Sequence, residues 1–494
     1  MEIAHLVLAP NNARRKLPAH AFLGQSPGFG TRLATSPPNV HRMETSLHIG
    51  RGLLGIAAFI GIAALFSTNR KRIPWAVVGT GLALQLILAL LILKIGFIRL
   101  IFDAIGTFFV KLLSFTNEGS SLVFGWLFNI PTGDKGLIVS AATGGGTATT
   151  FNTFPPIFAI SILPTIIFFA ALTSLLYRLG ILQFIVYGFA WIMSKTLKLS
   201  GAETLSASGN IFVGQTEAPL LIKPFISKMT RSELLAIMVG GMATIAGGVM
   251  AVYITLLGGS DPAEQVRWAT HLLTASVLSA PAALIVAKIL LPQEEVIDSS
   301  IQMSAERPGE NVLDAICLGT TDGLKLAVNV GGMLIVFTAL VAMVNWMMAN
   351  WVGDWTGLNA WIAQTTDGRY TSLSLQFFFG MIGAPVAWLM GVESGNLMLA
   401  GQLLGEKTVL NEFYAYFTMN KMQASGALTD DRTRIIMTYA LCGFSNIVSI
   451  GIQIGGIGAL APEKRSELAK LGWRALLGGS IACFLTASVA AMLT

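Results

Sequence analysis

Eight long, charge-poor apolar stretches constrain what this chain can fold into. A helix that spans the hydrocarbon core of a bilayer needs about 20 apolar residues. Charged residues make up only 12% of the 494 residues, about half the usual share of roughly 25% in soluble domains. The composition therefore excludes a disordered chain and an ordinary soluble enzyme, and it predicts an all-α polytopic membrane protein. The eight predicted transmembrane helices lie at 52–67, 75–95, 157–177, 233–257, 269–291, 328–349, 433–457 and 471–492.

The net charge of +6 does not indicate a nucleic-acid partner. Residues 1–42 hold five basic residues and one acid, which leaves 27 basic and 25 acidic residues in the remainder. No basic run is interleaved with aromatic residues, as a phosphate-tracking surface would require. The Pro-rich segment 1–42 also lacks an apolar helical face. We expect it to be a disordered extension or the product of a mis-assigned start, and we favour Met43 as the first residue.

Basic residues in the loops predict the orientation. They cluster after the first span at 70–72, after the third at 178–198, and between the seventh and eighth at 464–474. Cytoplasmic loops carry an excess of Lys and Arg. Eight spans with these loops inside place both termini outside the cytoplasm. We therefore expect a multi-pass protein of the cytoplasmic (inner) membrane, with the lipid bilayer as its environment.

Two Gly-rich stretches are too polar for lipid-facing spans. Residues 202–231 and 375–427 are interrupted by Pro and by acids, and irregular backbone at membrane depth is tolerated only inside protein or beside water. We interpret both as re-entrant helical hairpins of opposite orientation. Each hairpin precedes a long uncharged span with several Gly residues, which predicts an inverted repeat. Interrupted segments at matching positions of inverted halves point to a transporter's binding site.

This repeat divides the chain into six parts. The segment 97–113 carries Arg99, Asp103 and Lys111 among apolar residues and is typical of an interfacial helix. We expect, in order, the extension at 1–42, two spans with this interfacial helix at 43–127, an extracytoplasmic loop at 128–156, the first repeat half at 157–291, a cytoplasmic connector at 292–327 and the second half at 328–494.

Three polar groups within apolar surroundings carry the chemistry. They are Gln215-Thr216-Glu217, Asn411-Glu412, and Phe444-Ser445-Asn446 followed by Ser449. Buried polar groups are costly unless something satisfies them. Carboxylates, carboxamides and hydroxyls beside an aromatic ring suit a neutral ligand with a planar ring, and the lack of Lys or Arg argues against an anion. Alternatively, Glu217 and Glu412 are structural acids paired with Lys223 or Lys421, or acid and base of an intramembrane enzyme.

At these residues the sequence resembles the concentrative nucleoside transporters. The resemblance covers most of the chain and includes Leu163 to Phe169, Asn210 to Pro219, Asn411 to Tyr416 and Cys442 to Asn446. It implies eight spans, two re-entrant hairpins, a homotrimer and ion-driven uptake of nucleosides such as uridine by alternating access. It also implies that Gln215, Thr216 and Glu217 lie near the nucleobase edge. Val249 and Phe444 would lie against the base faces, and Glu412, Asn446 and Ser449 would bind the ribose.

The coupling ion is expected to be sodium, and no other cofactor is expected. A sodium site at helix ends needs unwound backbone carbonyls and one or two neutral side-chain oxygens. The side chains of Asn210 and Thr244, with the carbonyls of Val213 and Ile245, supply such a set, and the family resemblance places sodium at the same positions. Proton coupling through Glu217 or Glu412 is the alternative, although no His lies near these segments to carry a proton.

Overall fold

The computed structural model describes residues 38–128, 137–138, 150–151, 157–259, 261–301, 303–304 and 308–494. The predicted extension at 1–42 and the predicted loop at 128–156 lie almost entirely outside the described residues. Elsewhere the chain is helical, which confirms the predicted all-α class. One departure is a two-stranded antiparallel ladder within the loop, in which β1, Leu137–Ile138, pairs with β2, Thr150–Phe151.

Three helices precede this loop. They are α1 at Pro38–Leu65, α2 at Trp75–Lys94 and α3 at Gly96–Phe124, with 3-10 turns at Arg70–Arg72 and Gly125–Leu127. The predicted interfacial segment 97–113 is thus the first part of a longer helix. Asp103 of α3 accepts a hydrogen bond of 2.9 Å from the Thr270 hydroxyl, which holds α3 against the centre of the protein.

The first predicted repeat half contains a short helix, two longer helices, a reversal, a broken helix and a long helix. Its elements are α4 Phe158–Ser161, α5 Leu163–Arg178, α6 Ile181–Leu197, α7 Gly201–Gly209, a 3-10 turn Ala218–Ile222, α8 Lys223–Ile226, α9 Arg231–Ala243, α10 Gly247–Gly258 and α11 Pro262–Leu290. The reversal from α7 to α8 corresponds to the predicted hairpin 202–231. The predicted span 233–257 is broken between Ala243 and Gly247. The break lies directly before the pair Gly247-Gly248.

The second half repeats this order of elements. It comprises α12 Val312–Met347, a π-helix Met348–Gly353, α13 Asp354–Thr356, α14 Leu358–Thr365, α15 Leu375–Leu389, a 3-10 turn Ser394–Asn396, α16 Leu397–Val409, α17 Glu412–Ala424, α18 Asp431–Leu441, α19 Ile447–Leu460, a 3-10 turn Pro462–Lys464 and α20 Arg465–Leu493. A reversal, α16 to α17, again precedes a broken helix, α18 to α19, and a long helix, α20.

The second predicted hairpin, 375–427, contains three helices rather than two. The reversal is confined to α16 and α17, and α15 is a separate apolar helix that packs along α16. Two glycines allow this packing, since a Cβ atom built on Gly383 would lie 2.5 Å from the Cα atom of Gly401. Small residues at a helix contact are typical of membrane proteins. The apolar character shared by all three helices concealed the boundary between them.

Seven helical segments in the described part of the chain are long and apolar enough to cross a membrane. The predicted span 433–457 is not among them: it is divided into α18, with 11 residues, and α19, with 14, whereas its counterpart Arg231–Gly258, broken only at residues 244–246, is one of the seven. The break contains Gly443, whose φ of +141° favours glycine. This segment is therefore a broken helix rather than a continuous one, like its counterpart in the first half.

A buried ion pair joins the first reversal to the protein centre. Nearly every residue of α11 from Trp268 onward is buried, and α9 and α20 pack on it. Within this core, the Lys288 ammonium donates to the Glu203 carboxylate and, over 3.0 Å, to the Ser232 hydroxyl. The Lys288 and Glu203 side chains have 1% and 0% of their surface exposed. Buried charges persist only when paired and hydrogen-bonded, so this contact fixes the base of α7.

Candidate functional site

The site begins where the first reversal meets the broken helix of its own half. After α7 ends, the chain turns through residues 210–217 before the next 3-10 turn. In this turn the Phe212 carbonyl accepts a hydrogen bond of 3.1 Å from the Gly247 amide, the first residue of α10. The tip of the reversal therefore lies against the amino end of α10.

Two helices of the second half begin at the site with asparagine caps. The Asn411 side chain accepts a 2.8 Å hydrogen bond from the Tyr414 amide and caps α17, and Asn446 caps α19 by accepting 2.8 Å from the Ser449 amide. Such caps satisfy amides that the first helical turn leaves without partners. The chain thus stops and restarts its helices at the residues that the sequence analysis selected.

Glu412 lies between these helices and is held by neutral donors. Its Oε1 accepts a hydrogen bond of 3.0 Å from the Tyr253 hydroxyl on α10. Its Oε2 accepts a hydrogen bond of 2.9 Å from the side-chain amide nitrogen of Asn446. The alternative pairing with Lys421 is not observed, because the Lys421 ammonium lies over the Phe417 ring at 4.4 Å. Glu412 is thus a carboxylate without a cationic partner within hydrogen-bonding distance in the described structure, and 5% of the residue is exposed.

Gln215 connects the first reversal to α19. Its Nε2 donates a hydrogen bond of 3.2 Å to the Ser449 hydroxyl. Its Oε1 accepts a hydrogen bond of 3.1 Å from the Gln453 Nε2. The same Gln453 nitrogen donates a hydrogen bond of 2.9 Å to the Met238 carbonyl. Gln215, Glu412, Asn446 and Ser449 therefore belong to one polar cluster formed by both halves. The sequence analysis named these four residues from separate motifs.

A cavity of about 320 Å³ lies at Gly214 and Glu217, which flank Gln215 in the chain, but none of the four cluster residues is among its lining residues. Glu217 and Val249 line it together with Val213, and Glu217 is exposed to it. Its volume is at the lower end of the range usual for small-molecule sites. The first reversal and the chain around the start of α10 contribute further lining residues, and the opposite side comes from α5, the chain before α12, and α12 itself, among them Ile166, Thr173, Ser174, Tyr177, Pro308, Gly319 and Asp322.

The two remaining predicted contacts are half-buried. Thr216 packs closely against α19, since a Cβ atom built on Gly456 would lie 2.7 Å from the Thr216 Cγ2 atom. Phe444 lies in the break between α18 and α19 and packs on the apolar core. Neither residue lines the cavity in the described structure. Their predicted contacts with a ligand stay predictions.

The predicted sodium ligands surround the turn after α7. Asn210 caps the end of α7 and is 1% exposed, and neither polar atom of its side chain has a hydrogen-bond partner in the described structure. Val213, Thr244 and Ile245 are also buried. The Thr244 hydroxyl donates 2.9 Å to the Gly240 carbonyl, so its oxygen lone pairs remain available. A buried amide oxygen and a hydroxyl oxygen beside unwound backbone suit a small hard cation.

Tyr253 and Gln453 are polar members of the cluster that the sequence analysis missed. Each lies in a mostly apolar helix, in which the only other polar residue is Thr255 on α10 or Ser449 on α19, and each is fully buried. A lone tyrosine or glutamine in an apolar helix carries no local motif. The available signal is the cost of burying a polar group, which predicts a partner without identifying it.

Three family models match the chain. The Na⁺ dependent nucleoside transporter N-terminus matches residues 54–127, and the corresponding C-terminus matches residues 271–491. Between them, a model described as nucleoside recognition matches residues 159–260. The matches thus include both reversals and both broken helices.

Similar proteins come from bacteria and mammals. An uncharacterised transporter of Haemophilus influenzae is 39% identical over 89% of this chain and 96% of that protein. The sodium/nucleoside cotransporter 1 of Rattus norvegicus is 35% identical over 89% of this chain and 63% of that protein. The longer mammalian protein therefore contains sequence beyond the shared part.

Solved structures match over nearly the whole chain. CNTnw in an inward-facing substrate-bound state has a TM-score of 0.75 and 35% identity, covering 90% of this chain and 98% of that one. A doubly substituted variant of CNTnw in an outward-facing state has a TM-score of 0.78 and 33% identity, covering 91% and 99%. From the family models, the relatives and these structures together, this chain belongs to the concentrative nucleoside transporter family.

Proposed function

We propose that this protein imports nucleosides across the cytoplasmic membrane in symport with sodium, by alternating access. The observation that carries the proposal is the polar cluster at the interrupted helices. It joins Gln215 of the first half to Ser449 of the second, and Glu412 to Tyr253, beside a cavity of ligand size. Interrupted helices are where secondary transporters bind substrate and ion.

The two ends of the cluster differ in chemistry and fit the two ends of a nucleoside. A carboxylate accepts hydrogen bonds from vicinal hydroxyls, so we assign Glu412, with Asn446 and Ser449, to the ribose. The Gln215 amide both donates and accepts, which suits the edge of a nucleobase, and Thr216 and Glu217 follow it directly. Val249 and Phe444 would supply apolar contacts to the faces of the base. The absence of a basic residue from the described cavity lining is consistent with a neutral ligand.

Sodium is the coupling ion in this proposal. The Asn210 amide oxygen and the Thr244 hydroxyl would bind it together with the carbonyls of Val213 and Ile245. Because Asn210 lies in the same turn of chain as Gln215, and Ile245 lies just before α10, an ion bound there orders both elements next to the substrate site. Binding of the ion and of the nucleoside would then favour each other.

The membrane orientation and assembly are also proposed. From the basic loops at 70–72, 178–198 and 464–474, we propose that both termini lie outside the cytoplasm of a cell with an inner membrane. We further propose a homotrimer. The long helix α12 offers a surface for contact between subunits. It presents many apolar side chains on the surface of the isolated chain, including Leu318, Leu324, Val328, Ile335 and Val336.

Counterflow in proteoliposomes tests this function. Vesicles loaded with unlabelled uridine in sodium buffer should accumulate labelled uridine transiently, and vesicles loaded without nucleoside should accumulate less under the same conditions. The label should be recovered chemically unchanged. Equal uptake into both kinds of vesicle would indicate a channel, and a converted label would indicate an enzyme, so either result would reject the proposal.

A further inference from the structure

Tyr253 is placed to fix the orientation of the Glu412 carboxylate. Its hydroxyl donates to one carboxylate oxygen over 3.0 Å, while Asn446 donates to the other over 2.9 Å. The Tyr253 ring stacks on Tyr416 with a centroid separation of 4.2 Å, and the Tyr416 hydroxyl donates 2.8 Å to the Thr438 carbonyl. The donor is therefore held by packing, and the carboxylate cannot rotate without losing it.

Gln453 orients the Gln215 carboxamide as Tyr253 orients the Glu412 carboxylate. Its Nε2 donates to the Gln215 Oε1 over 3.1 Å and is itself anchored to the Met238 carbonyl over 2.9 Å. A carboxamide has one donor end and one acceptor end. With its oxygen bound by Gln453, Gln215 directs its Nε2 towards Ser449, at 3.2 Å. Gln453 thus determines which way round the Gln215 amide sits.

Neither residue is accessible to a ligand. Tyr253 and Gln453 are 0% exposed, whereas Gln215 and Glu412 retain 7% and 5% exposure. Both bonds also cross between the halves, since Tyr253 on α10 reaches Glu412, and Gln453 on α19 reaches Gln215. A residue that is buried behind a binding group can act on the ligand only through that group.

We propose that Tyr253 and Gln453 are positioning residues that fix opposite ends of the substrate site, Tyr253 the ribose end and Gln453 the base end. This inference rests on the proposed nucleoside transport and deepens it. A binding group held in one orientation recognises its ligand at lower entropic cost than one that must be ordered. Loss of either residue should therefore weaken recognition at its own end of the nucleoside far more than at the other end, to which Gln453 is linked only through the hydrogen bond from Gln215 to Ser449.

Two substitutions remove these hydrogen bonds with little change in shape. Tyr253→Phe keeps the ring stacked on Tyr416, and Gln453→Met keeps an unbranched side chain in the apolar helix. Two buried residues outside the cluster offer matched controls. Tyr439 hydrogen-bonds His271 at 3.2 Å, and Gln85 donates 3.2 Å to the Leu278 carbonyl, so the controls are Tyr439→Phe and Gln85→Met.

The readout is a pair of kcat/KM ratios measured in proteoliposomes. The ratio of uridine to 2′,3′-dideoxyuridine reports on the ribose hydroxyls, and the ratio of uridine to cytidine reports on the base edge. Tyr253→Phe should lower the first ratio by about fivefold, the effect of roughly one hydrogen bond, and change the second by less than about twofold. Gln453→Met should change the second by about fivefold and the first by less than about twofold.

The two ratios separate positioning from a general structural defect. The control substitutions should leave both ratios within about twofold of the wild type. The inference is overturned if either variant changes both ratios by the same factor, or if neither ratio changes. If the wild-type protein takes up no nucleoside, the proposed function itself fails. If Gln453→Met does not assemble in the membrane, Gln453→Leu is measured in its place against the same criteria.

Discussion

Replacing Asn210 by leucine should stabilise the protein in choline buffer and abolish its stabilisation by sodium. Asn210 is 1% exposed, and both polar atoms of its amide lack a partner in the described structure. A buried polar group left unsatisfied costs about 1–3 kcal/mol. Leucine has a similar shape and no polar atom. Without sodium, we therefore expect Asn210→Leu to be more stable than the wild type by about 1–3 kcal/mol.

Sodium should offset this difference in stability by binding only to the wild type. A ligand that binds only the folded state at 100 times its dissociation constant stabilises it by about 2.7 kcal/mol. The wild type should gain this amount in sodium chloride relative to choline chloride at equal ionic strength. Asn210→Leu should gain nothing, because it lacks the amide oxygen. The measurement is thermal unfolding of the detergent-purified protein, with sodium-dependent uridine uptake recorded in parallel.

Two further variants make this test specific. Thr244→Val removes the second proposed side-chain ligand and should reduce the sodium-dependent shift. Ser208→Ala is the matched control, since Ser208 lies on α7 and its hydroxyl donates a hydrogen bond of 2.7 Å to the Thr204 carbonyl; it should keep the full shift. An equal sodium shift in wild type and Asn210→Leu would refute the assignment. So would full uptake in choline buffer driven by an acidic exterior, which would indicate protons instead.

Three other changes test the site and its support. Glu412→Gln replaces a charged acceptor, so kcat/KM for uridine should fall at least about tenfold with the sodium-dependent thermal shift retained; wild-type uptake would disprove the ribose assignment. Lys288→Met leaves the Glu203 charge buried without its partner and should destabilise the folded protein by about 3–5 kcal/mol in thermal unfolding. Adding Glu203→Gln should recover most of this loss, and no recovery would argue against the pair. Gly241→Ala puts a methyl group 2.8 Å from the Gln215 Cβ atom and should raise the KM for uridine; an unchanged KM would show that this contact relaxes freely.

The sequence predicted the fold class because lipid imposes a simple rule on composition. Long apolar stretches at 75–95 and 471–492, for example, correspond to α2 and α20 within a few residues at most ends. The rule fails where a helix is apolar on average but interrupted. Gly443 and the Asn446 cap divide α18 from α19, and an average over 20 residues conceals two positions that depend on backbone conformation.

The site could be predicted in part because several of its polar residues are clustered in sequence. Polar residues also flank four of them in the sequence, within apolar segments: Gln215, Glu217, Glu412 and Asn446. Burying several polar side chains in a membrane costs free energy, which indicates that they have a function. Tyr253 and Gln453 have no such neighbours. Their partners lie 159 and 238 residues away along the chain, so only the three-dimensional arrangement identifies them.

The hydrogen bonds between the two halves also limit how the site can open. Tyr253 to Glu412, Gln215 to Ser449 and Gln453 to Gln215 all join the first half to the second. Pulling the halves apart would break all three buried bonds together, and each broken bond leaves a buried polar group unsatisfied. The cavity instead opens between the first reversal and the α5 and α12 helices, at Thr173, Gly319 and Asp322. None of the three bonds crosses that face, so we expect a ligand to leave along it while the proposed recognition cluster stays intact.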